Sequence, residues 1–145
     1  MQNLIIRNLK IGDWEDISRI QESITKEPST IDYYKIVQEE VKKDNSVNVV
    51  AELDGKVAGF IITYLIHGGF GLEKSAWIGL FGVDPKYMGS GIGKRMAKQV
   101  FDELTKMDIK NVFTSVKWDS FDILSFFKSV GFGRCQFINL KKVID

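Results

Sequence analysis

Apolar residues along this chain change their spacing several times, and each change marks a predicted element. Leu4-Ile5-Ile6-Arg7 opens as a short strand. From Trp14 the apolar positions are Trp14, Ile17, Ile20 and Ile24, the spacing of one helix face, and Asp13 stands where an N-cap belongs. Pro28-Ser29-Thr30 breaks that pattern. A second helix is expected over Ile31 to Lys43, carrying Tyr33, Tyr34, Ile36, Val37 and Val41, with a terminal lysine pair suited to the negative end of the helix dipole. The period then shortens to two. Val47 to Leu53, Asp54-Gly55 and Lys56 to Ile66 predict a hairpin, because Asp-Gly supplies the positive φ values that a two-residue turn demands. Gly68-Gly69-Phe70-Gly71 turns the chain toward a buried strand, Ala76 to Val83, which Pro85 ends. Ile92, Met96, Val100, Leu104 and Met107 then recur at helical spacing with charged residues between them. Val112 to Trp118 predicts another strand with Trp118 in the core, Phe121 to Ser129 a short helix, and Phe137 to Leu140 a last strand.

This order predicts an α/β fold: a mixed, mostly antiparallel central sheet with helices on both faces. Composition narrows the picture further. At 145 residues, 44% hydrophobic and 27% charged, the chain suits one domain spanning 1–145 with a substantial core. A net charge of +1, with the lysines and arginines dispersed, gives no basis for attraction to nucleic acid or to an anionic membrane, so neither partner is expected. One cysteine, Cys135, and one histidine supply neither a disulfide nor a usual zinc set, so no metal is expected. No stretch resembles a secretion signal or a membrane span, which makes the cytoplasm the expected compartment.

Chemistry concentrates between the buried strand and the helix that follows it, in Gly82-Val83-Asp84-Pro85-Lys86-Tyr87-Met88-Gly89-Ser90-Gly91-Ile92-Gly93-Lys94-Arg95. Glycines at 89, 91 and 93 bare the backbone where a helix begins, so consecutive N–H groups and the helix dipole favour an anion, and Lys94 and Arg95 add positive charge. Two familiar phosphate motifs do not fit. A Walker loop needs four residues between its first glycine and Gly-Lys, followed by Ser or Thr, and here the gap is one residue short and Arg95 follows. The dinucleotide fingerprint G-x-G-x-x-G differs from G-x-G-x-G and belongs after the first strand of a βαβ unit.

The stretch from Val83-Asp84-Pro85 through Gly89-Ser90-Gly91-Ile92-Gly93-Lys94 resembles motif A of the GNAT superfamily of N-acetyltransferases, a Val-Asp-Pro turn followed by Gln/Arg-x-x-Gly-x-Gly/Ala. Downstream, Phe126-Phe127-Lys128-Ser129-Val130-Gly131-Phe132 resembles the end of that family's motif B. The resemblance implies acetyl-coenzyme A as cosubstrate, with its pyrophosphate on the N–H groups of Met88, Gly89, Ser90, Gly91, Ile92, Gly93 and Lys94. It implies also that the pantetheine lies as an added strand along Phe81, Gly82 and Val83. Ser120, Phe126 and Phe127 would complete the cofactor site. The implied activity is direct acetyl transfer to a primary amine of a small molecule, peptide or protein, and the resemblance is compatible with a homodimer.

Departures from the family pattern fall on the catalytic groups. Phe127 stands where the family often has a tyrosine that protonates the departing thiolate, and Gly79 and Leu80 leave no carboxylate where many members carry a catalytic Glu or Asp. The replacement candidates are His67, whose ordinary pKa near ~6.5 suits proton transfer, and Asp119, which a helix N-cap role would also explain. Tyr33 and Tyr34 fit either an acceptor site or ordinary packing, and Cys135 reads as a structural thiol. Absence of both usual groups keeps a second reading open, a noncatalytic domain that binds or senses acyl-coenzyme A.

Overall fold

The Asp54-Gly55 turn sets the register of the sheet. In the structure, a computed structural model that describes residues 3–145, both residues have positive φ, 51° and 83°, and they join β2 (Val47–Leu53) to β3 (Lys56–His67). On the outer side of β2 lies β1 (Leu4–Asn8), and on the other side of β3 lies β4 (Lys74–Val83), each pairing antiparallel. A short fifth strand, β5 (Val112–Thr114), pairs parallel with Ala76–Ile78 of β4. The sheet order is β1-β2-β3-β4-β5.

Helices cover both faces, and adjacent residues of β3 show it. Phe60 packs with Ile17 and Ile20 of α1 (Trp14–Thr25) and with Tyr33 and Val37 of α2 (Tyr33–Lys42). Its neighbour Gly59 faces the other way, where a β-carbon would lie 2.8 Å from Cε of Met96 on α3 (Ile92–Lys106). Successive strand side chains alternate between faces, so the two helix layers must oppose each other across the sheet. Ile92, Met96, Val100 and Leu104 form the buried stripe of α3, as their spacing predicts.

Two register shifts interrupt the ladders. Ala51 pairs with Gly59 but Glu52 with Val57, which leaves Ala58 as an extra residue in β3. Ile62 pairs with Leu80 but Thr63 with Ile78, which leaves Gly79 extra in β4.

Several expectations are corrected. Asp13 precedes α1 but caps nothing with its side chain there; its carboxylate instead accepts from the Lys10 N–H at 2.8 Å and pairs with Arg7 at 2.9 Å, closing a 3-10 turn over Ile11–Asp13. The first helix ends at Thr25 with Lys26 in the left-handed region, ahead of Pro28.

By its contacts the chain divides into two compact units, 1–114 and 115–145. The second contains α4 (Phe121–Ser129), whose bounds match the sequence reading. The strand expected over Val112 to Trp118 stops at Thr114, and the one expected over Phe137 to Leu140 does not form. A strand exists only through its ladder. With no strand at 115–118 to supply partners, apolar content at 137–140 is not enough, and Asn139 meets Ser115 through side chains alone. Trp118, expected in the core, is 82% exposed: the strand that would have carried it stops at Thr114, and Trp118 lies in the turn it forms with Asp119.

Phe60 is fully buried in the cluster beneath α1 and α2. Phe60→Ala is therefore expected to lower the unfolding free energy by about 3–5 kcal/mol, read as a shifted urea midpoint at unchanged slope.

Candidate functional site

Asp84 is where β4 becomes the glycine loop, and it is held from three sides. Its N–H donates to the Ala58 carbonyl at 2.8 Å, one carboxylate oxygen accepts from the Lys86 N–H at 3.1 Å, and the other accepts from Arg19 at 3.0 Å. Arg19 reaches across from α1 and also donates to the Val57 carbonyl at 3.1 Å. One guanidinium thus ties α1, β3 and the loop together. Burial works to raise the Asp84 pKa, yet the hydrogen bonds from Arg19 and Lys86 and their charges outweigh it and hold the carboxyl below its usual range. Pro85–Tyr87 then forms a 3-10 turn with Pro85 at its first position, as its fixed φ favours.

The loop spends some of its donors on itself. Met88 N–H donates to the Pro85 carbonyl at 3.4 Å and Ser90 N–H to the Tyr87 carbonyl at 3.2 Å, so these two expected phosphate donors serve the loop's own turns. Gly89 and Gly91 sit at φ 81° and 89°, a region that side chains strain to adopt. Gly91 is the N-cap of α3 and has no side chain to cap with. The first intrahelical bond runs from Arg95 to the Gly91 carbonyl. Among the described residues, the N–H groups of Gly89, Gly91, Ile92, Gly93 and Lys94 have no protein acceptor. Five neighbouring donors at the positive end of a 15-residue helix are the arrangement an anion requires, with Lys94 and Arg95 exposed beside them.

The strand leading to this loop carries a second feature, which the sequence did not reveal. The parallel ladder with β5 ends at Ile78, and the next residue is the bulged Gly79. A β-carbon on Gly79 would lie 2.6 Å from Cδ2 of Tyr64 and closer still to Cε2, so the Tyr64 ring occupies the space of a residue-79 side chain. Burial first, then the charges of Glu40 and Glu39, raise the Tyr64 pKa above the ordinary tyrosine value.

Of the sequence-predicted residues, Phe81, Gly82, Val83 and the loop from Met88 to Lys94 follow one another along β4, the turn and the start of α3. His67 lies elsewhere: it ends β3, exposed, and lines a cavity of about 190 Å³ with Glu40, Lys43, Asn45, Thr63 and Leu65. Asp119, Ser120, Phe126 and Phe127 belong to the second unit. There Ser120, not Asp119, is the N-cap of α4, without a side-chain cap bond; Asp119 is exposed, and Phe127 is buried with its ring edge-on to Phe126 and Phe132. Tyr33 is core, 2% exposed, whereas Tyr34 is exposed and meets Trp14 edge-on at 5.6 Å. Cys135 is exposed. Among the described residues, no group of three His, Cys, Asp or Glu side chains could hold a metal ion, and no helix is long and apolar enough to cross a membrane.

Comparison with known proteins agrees with this geometry. Residues 14–132 match the model of the acetyltransferase (GNAT) family. The ribosomal protein bS18-alanine N-acetyltransferase of Escherichia coli strain K12 is 27% identical over 81 residues, 56% of this chain and 51% of that protein, so the chain spans about half the length of the curated relatives it matches. Among solved structures, the aminoglycoside acetyltransferase meta-AAC0020, from an uncultured soil metagenomic sample and in complex with sisomicin, superposes with a TM-score of 0.82 at 18% identity, covering 99% of this chain and 97% of that one. The aminoglycoside N-acetyltransferase AAC(6')-Iy in complex with coenzyme A gives a TM-score of 0.85 at 13% identity, with 99% and 96% covered. At these identities the likeness is one of fold.

Two outcomes are expected from this geometry. A depressed Asp84 pKa contributes stability that is complete above about pH 5 and lost as pH falls below 3.8 toward the folded value. Asp84→Asn should therefore be less stable than the parent at pH 7, and the gap should close toward pH 3 in urea titrations. Gly79→Ala should cost about 1–3 kcal/mol by overpacking against Tyr64, and most of that cost should vanish in a Tyr64→Ala background, read as coupling in a double-mutant cycle.

Proposed function

The chain belongs to the GNAT family of acetyltransferases, and on that premise we propose that it transfers the acetyl group of acetyl-coenzyme A directly to a primary amine. The observation that carries this is the set of five N–H groups of Gly89, Gly91, Ile92, Gly93 and Lys94, aimed from a helix start that no side chain caps. A pyrophosphate needs several donors converging without intervening side chains, and these residues fit one. Lys94 and Arg95 add charge, while the Arg19–Asp84 pair fixes the loop that presents the donors. Phe81, Gly82 and Val83, the stretch of β4 beyond the parallel ladder, would lie along the pantetheine arm. The cosubstrate supplies an activated thioester carbonyl; the chain's task is to hold it and bring an amine to it.

Rate then comes chiefly from orientation. Holding an amine in near-attack geometry removes the entropy of a bimolecular encounter, an effect worth as much as ~7–11 kcal/mol in model systems. Gly79 supplies no carboxylate to take the amine proton, and Phe127 has no hydroxyl to give to the thiolate. A coenzyme A thiolate leaves without compulsory protonation; of the two candidate proton acceptors, Asp119 is the one we keep, through water, because His67 ends β3 away from the glycine loop. The acceptor is an amine of a small molecule, as for the aminoglycoside enzymes of the same fold, or an amine of a protein, as for the bS18-alanine enzyme.

Titration calorimetry with acetyl-coenzyme A tests the binding step. Gly91→Glu puts a carboxylate among the five donors and should weaken binding at least ~100-fold; its strained φ costs stability of order ~1–3 kcal/mol, so circular dichroism must confirm that it remains folded. Lys94→Ala should lose only several-fold. Equal affinity in the parent and Gly91→Glu would refute the phosphate assignment. Release of free coenzyme A upon adding polyamines, aminoglycosides, amino acids or peptides tests turnover; binding without any such release identifies an acyl-coenzyme A sensor instead.

A further inference from the structure

Two glycines of β4, Gly79 and Gly82, have the place of their missing side chains filled by aromatic rings of β3, and the two places differ. A β-carbon on Gly82 would lie 2.8 Å from Cε1 and 2.9 Å from Cζ of Phe60, which is fully buried, and Gly82 is buried with it. That place is sealed core. A β-carbon on Gly79 would meet the ring of Tyr64 as closely, yet Gly79 is exposed and Tyr64 only half-buried. The filled space above Gly79 therefore opens to the surface, where a small group of a ligand can reach the ring. Cδ2 lies 2.6 Å from the residue-79 β-carbon position and Cε2 nearer still, whereas Cζ, which carries the hydroxyl, lies at 3.4 Å. It is thus the hydrocarbon edge of the ring that faces Gly79.

The ring is held from several sides. Tyr64 packs on the core beneath α1 and α2, as Ile36 and Leu80 do, stands opposite Trp77 in the β3–β4 ladder, and has the Lys43 ammonium 5.5 Å from its ring centre. A ring so fixed cannot yield to a larger neighbour without disturbing the core. Its place along β4 gives this edge a use. The N–H groups that fit a pyrophosphate follow Val83 in the chain, and the parallel ladder with β5 occupies Ala76 to Ile78. A pantetheine arm laid along β4 from the loop side runs back from Val83 and meets that ladder at Ile78, which bounds its course. Gly79 stands just short of the ladder, roughly 13 Å of strand from Val83. The arm ends in the thioester, so its acyl group comes to the Gly79 end.

We propose that the hydrocarbon edge of Tyr64 is the wall against which the acyl group rests beside Gly79, and that this wall restricts the protein to acetyl thioesters and excludes longer acyl chains. The wall rests on the acetyltransferase reading, which places the thioester. In an acetyl thioester one methyl group lies against the ring edge. The further methylenes of a butyryl chain would have to enter space that Cδ2 and Cε2 already fill. Tyr64 in this role touches the cosubstrate and moves no proton.

The probes are acetyl-, propionyl- and butyryl-coenzyme A and free coenzyme A, titrated calorimetrically into the parent and its variants with no acceptor amine present. One methylene in an apolar pocket is worth about 10–200-fold, so the parent should bind butyryl-coenzyme A at least ~10-fold more weakly than acetyl-coenzyme A, with propionyl between them. Tyr64→Phe keeps the ring edge and should keep that preference. Tyr64→Ala removes the edge and should abolish most of the preference while leaving the affinity for free coenzyme A unchanged, with circular dichroism confirming the fold. Should Tyr64→Ala fail to fold, Tyr64→Leu keeps an apolar side chain on the core, and it should relax the preference several-fold. Equal affinity of the parent for acetyl- and butyryl-coenzyme A overturns the wall and leaves the acetyltransferase reading. A preference that survives in folded Tyr64→Ala or Tyr64→Leu, or that disappears in Tyr64→Phe, does the same. A parent that binds none of the four probes removes the acetyltransferase reading, and the wall with it.

Discussion

The extra residue in β4 is the constraint on which the rest depends. Because Gly79 is bulged, Ile78 stands opposite Thr63 and Leu80 opposite Ile62, so residues two apart in one strand point to opposite faces. Leu80 thereby joins the core beneath α1 and α2. The parallel ladder to β5 ends at the same place, at Ile78. A strand bound on both edges thus changes its pairing at one residue, and the segment from Leu80 to Val83 carries the chain to the glycine loop. Glycine suits the bulge because the Tyr64 ring already fills the space above it.

From there the site is an exercise in placing backbone donors. An ordinary helix would begin with Ser, Asp or Asn, worth ~1 kcal/mol over alanine at the cap. This one begins with Gly91 and leaves its first N–H groups without protein acceptors. A loop built on two left-handed glycines is entropically expensive to order, and the Arg19–Asp84 pair offsets that by tying its first residue to α1 and β3. The order of the loop and the packing of α1 on β3 therefore meet in one ion pair.

Much of this was legible in the sequence where local chemistry decides. Asp54-Gly55 announced its hairpin, the spacing of Ile92, Met96, Val100 and Leu104 announced α3, and the bounds of α4 came out as read. The alternation of Gly89, Gly91 and Gly93 pointed to an anion cradle, although pattern alone did not reveal that Met88 and Ser90 use their N–H groups within the loop. Asp13 sat where a cap belongs, yet a nearby guanidinium and a tighter turn claimed its carboxylate. Strand pairing failed most clearly at 137–140, since apolar content says nothing about whether a partner ladder extends far enough.

What the sequence determined by itself is whatever depends on neighbours a few residues apart: helix stripes, the hairpin turn, the uncapped helix start and the family motif they compose. Tertiary structure alone decided the meetings between distant residues, Arg19 with Asp84 across 65 positions, Tyr64 over Gly79, and Glu40 with Asn48, whose side-chain oxygen accepts the Thr63 N–H. The physical reason is one of range. Backbone propensity and capping act within a turn or two, whereas a buried charge or a filled space is defined only by the side chains that the completed sheet brings around it.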